Sequence, residues 1–175
     1  MKTPELYRSP EEAYPFLADP PEDLRCDFEL LTDELSSLTG LLRSQVPDLA
    51  LREELLRVDE LIYHANPTLR TRMTVTREEV DWLRRRTVAL QEEAGDSVHS
   101  FVLPQGCETA CVAHLLRVKA KELVRLIYRH IAAGGTAPHL LLDFCNLLSG
   151  YFFGLALLLN RQGSVPEVAF ISRNY

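Results

Sequence analysis

Arg117, Lys121 and Arg125 recur every four residues in 115-LLRVKAKELVR-125. On a helix that spacing stacks three cations along one side. Such a column attracts anions, polyphosphates above all, and Glu122 in its midst opposes what the cations attract. Winding the segment at 100° per residue gathers Cys107, His114, Arg117, Lys121, Arg125 and Tyr128 on one side. Val112, Leu116, Ala120, Leu123, Val124, Ile127 and Ile131 fall on another, which is expected to face the core. A solvated helix face and an anion site both fit this pattern. Cys107, Cys111 and His114 have spacing that can gather zinc ligands, but no fourth ligand stands nearby and no metal is expected. Nucleophile elbows, Walker loops and dinucleotide glycine loops are absent from the sequence.

A helix carrying these residues must be long. It is predicted over about Cys107–Ala133, stopped by Gly134-Gly135. Three helices precede it. Asp27–Ser44 places Phe28, Leu31, Leu35, Leu38 and Leu42 at three- and four-residue steps. Asp48–His64 does the same with Leu51, Leu55, Val58 and Ile62. The third opens on 76-TREE-79, a capping box, and runs to about Glu93, with Gly95 closing it. Its 84-RRR-86 run, flanked by Asp81, Glu92 and Glu93, is expected on the wet side. A fifth helix, with Thr136 as cap and Pro138 in its first turn, ends near Gly163. Residues 1–24 form an irregular arm, and 25–175 form one domain. Between the helices, 98-VHSFVLPQG-106 is an ordered connection, and 165-VPEVAFIS-172 is a short extended tail. The expected fold is an all-α, up-and-down antiparallel bundle of five helices.

Bulk composition sets limits on partners. Across 175 residues the hydrophobic share is 46%, the charged share 25% and the formal net charge −6. An acidic chain is repelled by nucleic acid and anionic membranes, so neither is expected as a partner. The segment 140-LLLDFCNLLSGYFFGLALLLN-160 is long enough to span a bilayer, yet Asp143 and Asn146 suit a buried central helix better. Its strip of Asp143, Asn146, Gly150, Gly154 and Arg161 fits either close helix approach or a groove wall. The opening residues lack the apolar stretch of a signal peptide, and the four cysteines are expected as reduced thiols in the cytoplasm.

The order 32-TDELSS-37, 101-FVLPQG-106, a long basic helix and 144-FCNLLSGYFF-153 resembles the trimeric ATP:cob(I)alamin adenosyltransferases of the propanediol-utilisation type. The likeness runs from about Asp27 to Gly163. It implies a homotrimer with sites at subunit interfaces, where ATP with Mg²⁺ meets a corrinoid, cobalamin. Reduced cobalt there attacks the 5′ carbon of the nucleotide, and triphosphate leaves. Phe101 matches the aromatic that crowds the lower corrin face. Asp33 and Arg117 match an ion pair that crosses the subunit boundary. Arg125 matches a phosphate-contacting arginine, Lys121 stands where another arginine is usual, and Asn146 matches an amide near the nucleotide.

Other family features are replaced. The Lys-Thr-Gly-Asp-x-Gly loop that wraps triphosphate reads 2-KTPELY-7, with Pro4 at the first glycine. The Arg-Arg-x-Glu-Arg pattern reads 121-KELVR-125, so Glu122 reverses a charge and Val124 removes a carboxylate. Leu147 replaces an arginine and Gly150 an aspartate. Lys121 lacks the planar fork that holds two phosphate oxygens at once. Loss of one charge-assisted contact costs on the order of 1.5–3 kcal/mol, so ATP and Mg²⁺ are doubtful ligands while the corrinoid remains expected. Two rivals stand beside a corrinoid binder. One is a divergent transferase rebuilding its phosphate grip from Lys2, Lys119 or the arm. The other is a scaffold that has lost every ligand.

Overall fold

The computed structural model describes residues 6–95 and 101–174. Lys2 and Pro4, on which part of the phosphate-loop comparison rests, lie outside them, as do residues 98–100 of the predicted connection. Five helices follow in order: α1 (Arg25–Gln45), α2 (Leu49–Ala65), α3 (Arg77–Ala94), α4 (Glu108–Ala132) and α5 (His139–Gln162). Their ends fall within two or three residues of the sequence expectation. α1 packs between α2 and α4, and α5 between α3 and α4. Among the described residues no sheet forms, and the one β-type pairing is an isolated bridge between Val102 and Ala169. Residues 6–24 contain turns but no helix or strand.

Local chemistry explains the helix starts and stops. Thr76 and Glu79 cap α3 reciprocally, each side chain accepting from the other's backbone N–H, at 3.3 and 2.8 Å. Gly95, at φ 72°, then ends that helix by donating to Gln91 and Glu92 carbonyls. Asp48 caps α2 by accepting from the Leu51 amide at 2.8 Å. α5 departs from expectation: its N-cap lies two residues beyond the predicted one. Thr136 does not cap it, and Pro138 takes the N-cap place in an extended conformation. The reason is steric, because a residue preceding proline is pushed out of the helical region, and Ala137 is that residue.

The bundle core is aliphatic and aromatic, with Phe28, Leu35, Leu42, Phe144, Tyr151 and Phe152 fully buried. α5 is long and apolar enough to cross a membrane, but it lies in this core with 61% of its most apolar window buried. Its glycines serve helix approach. A Cβ at Gly154 would lie 3.1 Å from the Leu90 Cβ, and one at Gly150 would lie 3.2 Å from the Thr87 Cγ2. α3 therefore sits against α5 where larger residues would hold it off.

α4 is turned slightly from its predicted orientation. Ala113 and Leu126 are buried, whereas Val112 and Val124 are half-buried and Ile131 is exposed. Two neighbours, α1 and α5, flank this helix, so its buried arc must serve both. The arginine run on α3 is also not uniformly wet. Arg86 reaches in to Glu54 at 2.7 Å, and the same carboxylate accepts from the buried Tyr151 hydroxyl at 3.0 Å. This bonded group ties α2, α3 and α5 together beneath the surface. A second group holds the arm: Arg70 bridges Glu29 at 2.7 Å and Asp19 at 3.0 Å while stacking on Phe16.

Candidate functional site

Phe101 is 84% exposed, which for a large aromatic is the opposite of what water alone would select. Its backbone is held firmly. The Phe170 N–H donates to the Phe101 carbonyl at 2.7 Å, and the Leu103 N–H donates to Val168 at 2.8 Å. These two bonds pair the loop with the C-terminal tail. Behind them lies Asn160, 1% exposed at the end of α5. Its Oδ1 accepts from the Cys107 N–H at 2.9 Å, while its Nδ2 donates to the Gln105 carbonyl and the Glu167 carboxylate, each at 2.9 Å. One amide thus pins the loop, the start of α4 and the tail.

Gly106 makes this possible. At φ 144° it adopts a backbone that side chains rarely tolerate, and a Cβ there would fall 1.8 Å from the Asn160 Oδ1. Phe101 and Phe170, opposite each other across this pairing, are both exposed, as is Ile171 beyond them.

Along α4 the predicted column divides. His114 is buried, at 4% exposure, with neither ring nitrogen bonded, and its ring packs near Phe153. It is not part of a wet face. Burial first, and the nearby Arg117 charge second, push its pKa down to about 4, so the ring is neutral at pH 7. Arg117 is half-buried with its Nε unbonded, its guanidinium 5.7 Å from the Phe153 ring centre. Burial lowers its pKa as well.

Lys121 and Arg125 are exposed and line one open groove of about 330 Å³ with Leu31, Val118, Glu122 and Arg129. Glu122 does not stand unopposed there. Its carboxylate lies 3.2 Å from Lys119 Nζ, which also meets Glu34 of α1 at 3.0 Å. Lys119 is thereby occupied, which counts against its recruitment as a phosphate ligand.

Asp33 is exposed on α1 and makes no ion pair with Arg117 inside the chain. Asn146 opens on a separate groove between α3 and α5, beside Asp143, Leu147, Gly150, Arg84 and Thr87. Its Nδ2 donates to the Leu142 carbonyl one turn back, at 2.9 Å. Within one chain, therefore, Lys121 and Arg125 share a groove, Arg117 lies a turn earlier, and Phe101, Asp33 and Asn146 stand apart. Cys107 Sγ lies 3.3 Å from the Thr109 hydroxyl, and Cys111 points at the Gly106 carbonyl. Among the described residues no three His, Cys, Asp or Glu side chains are gathered to hold a metal ion.

A family model for cobalamin adenosyltransferase matches residues 22–159, most of the chain. The chain belongs to the cobalamin adenosyltransferase family. A corrinoid adenosyltransferase of Bacillus subtilis (strain 168) is 25% identical over 158 residues, spanning 85% of this chain and 81% of that protein. Two solved family structures share the fold. A variant PduO-type ATP:corrinoid adenosyltransferase from Lactobacillus reuteri, complexed with cobalamin and ATP, superposes with a TM-score of 0.75 at 22% identity, covering 86% of this chain and 87% of its own. A second variant from that organism, complexed with ATP, gives 0.75 at 24% identity, covering 85% and 88%. The all-α, five-helix expectation agrees with these neighbours.

Sequence reasoning missed Asn160 and Arg129. Arg129 continues the four-residue step from Lys121 and Arg125, and extending that count by one turn finds it. Asn160 left no local signal, because its partners stand 53 and 55 residues earlier and seven later.

Proposed function

We propose that the protein binds a corrinoid against Phe101 and handles ATP weakly, so that cobalt–carbon bond formation is slow or absent. The observation that carries this is the contrast in equipment. Phe101 is held exposed on a bonded backbone, with exposed Phe170 paired opposite it. A flat macrocycle resting there excludes water from its lower face, which favours losing the lower axial ligand of cobalt.

The nucleotide side is remodelled. Where the family has an aspartate stands Gly150, so the carboxylate is missing, and a Cβ there would press on the Thr87 methyl at 3.2 Å. Val124, in place of a glutamate, packs against the core instead of facing solvent. Lys121, Arg125 and Asn146 remain for the phosphates and the nucleoside, and Mg²⁺ has few carboxylates to hold it there.

The active assembly in this proposal is a homotrimer in the cytoplasm, with its four cysteines free. Arg117 presents a buried Nε without an acceptor, and Asp33 presents an exposed carboxylate. Pairing Asp33 of one subunit with Arg117 of the next satisfies both. In the family reaction the cobalt electron pair forms the Co–C5′ bond while the C5′–O bond breaks, and the C5′–O bonding pair departs with triphosphate. Here Phe101 shapes the cobalt side, and Lys121 with Arg125 steadies the departing charge.

Titration with cob(II)alamin tests the proposal. A spectral shift that Phe101→Ala removes is expected, and an unchanged spectrum leaves only a scaffold. Supplying ATP, Mg²⁺ and chemically reduced cobalamin tests the second half, with little adenosylcobalamin expected. Rapid formation that Lys121→Ala abolishes would establish the active transferase instead. That second reading draws on one observation, the engagement of Glu122 by Lys119.

A further inference from the structure

We propose that Glu167 is a positioning residue for the exposed Phe101, acting through Asn160 and the C-terminal tail. This rests on the preceding reading that Phe101 meets the corrinoid. Two unfavourable local features mark the tail. Where α5 ends, the Val165 N–H donates to the Asn160 carbonyl at 2.8 Å, and the Ser164 N–H donates to the Arg161 carbonyl at 3.1 Å. That paired pattern closes a helix and turns the chain back, and it needs one left-handed residue, ordinarily glycine. Here Ser164 takes the place, at φ 55°. Among the described residues it is the one non-glycine with a positive φ, a conformation that side chains disfavour.

The second feature is Glu167 itself. Its Oε1 accepts from Asn160 Nδ2 at 2.9 Å, while its Oε2 is buried with no donor bonded to it among the described residues. A buried, unpaired carboxylate oxygen works against folding. Such features persist where the surroundings hold them in place, and they cluster where position matters. Here both steer the same few atoms. With the chain turned at Ser164 and Glu167 fastened to Asn160, Val168 presents its carbonyl to the Leu103 N–H at 2.8 Å. Two residues on, the Phe170 N–H reaches the Phe101 carbonyl at 2.7 Å. Among the described residues Glu167 is the one tail side chain bonded to the bundle, since Ser172 bonds only within the tail. A pair of backbone bonds at the surface opens readily unless the strand behind it is fixed. Without Glu167, Asn160 still holds the Cys107 N–H and the Gln105 carbonyl. Losing Glu167 therefore loosens the tail and Phe101 while the base of the loop stays in place.

The test compares Glu167→Ala with Glu167→Gln in the intact protein, by amide hydrogen exchange and by cob(II)alamin spectra at saturating protein. In Glu167→Ala the Leu103 and Phe170 amides should exchange about fivefold faster or more, the loss of one hydrogen bond. Amides in the middle of α3 should keep their rates, which separates loosening of the tail from global unfolding. At saturation all the corrinoid is bound, so the end-point spectrum reads how the lower cobalt face is crowded, free of affinity and stability. The share of bound cobalt without its lower ligand should fall about twofold or more in Glu167→Ala. Glutamine keeps an acceptor for Asn160 Nδ2, so Glu167→Gln should match the unaltered protein in both measurements. The positioning role is overturned if the two amides keep their rates in Glu167→Ala, if they quicken while the end-point spectrum stays the same, or if Glu167→Gln fails to rescue. An unaltered protein that gives no corrinoid spectrum at all overturns the corrinoid reading alone, and the exchange rates then decide whether Glu167 positions Phe101.

Discussion

The two ends of the candidate site are built on different physical plans. At the Phe101 end, backbone hydrogen bonds, a buried amide and a positive-φ glycine fix where each atom stands. At the Lys121–Arg129 end, long exposed side chains rise from a regular helix with almost nothing holding their tips. The difference suits what each is proposed to recognise. An apolar face offers no direction of its own, so its shape has to be supplied by rigid backbone. A cationic column acts through charge that reaches several ångströms and tolerates loose positioning. Disturbing the frame beneath Phe101 should therefore cost stability as well as binding, whereas disturbing Phe101 itself or the second region should cost binding alone.

The sharpest break of that contrast is Asn160→Ala. It strands the Cys107 N–H and the Gln105 carbonyl and should cost about 3 kcal/mol. In a chain of this size that lowers Tm by about 6–12 °C in a thermal melt, and the cob(II)alamin shift should vanish with it. Next comes acid. His114 lies on α4 between the two regions, and its pKa falls from 6.5 unfolded to about 4 folded. The unfolded chain then binds the extra proton between those values. Stability is full above pH 6.5 and declines as pH falls toward 4, by at most about 3 kcal/mol. Melts across this range should show the slope, and His114→Phe should flatten it.

Tyr151→Phe offers a calibration away from both regions. It removes the hydroxyl that meets Glu54 and should cost about 1 kcal/mol, or about 2–4 °C in Tm. Smallest of all in stability is Phe101→Ala. Its side chain is so exposed that Tm should move by about 1 °C or less, although corrinoid binding is expected to fail. Equal stability losses from Asn160→Ala and Phe101→Ala would dissolve the contrast between frame and displayed group.

The helices were legible because their signals are local. Steps of three and four placed Phe28, Leu35 and Leu42 in the core, and Thr76 with Glu79 announced the start of α3 within a residue. Errors arose where a second element intervenes. Ile131 looked like core until α4 proved to be shared between two neighbours, and His114 looked wet until Phe153 came against it. Arg86 was misplaced because Glu54, 32 residues earlier, draws it inward. Of the site, the column on α4 could be read from spacing and Phe101 from the family pattern. The loop's support could not, since asparagine at a helix end is common and only the fold brings its partners near.

Gly106 and Asn160 also constrain how this chain can change. Any side chain at 106 collides with the amide at 160, and any smaller group at 160 leaves the 106 bend without its anchor. Neither position can drift freely, and at 106 the positive φ strains any side chain whatever stands at 160. A mutational library would score position 106 as fixed even when position 160 is varied with it, so any exchange at this joint has to begin at 160.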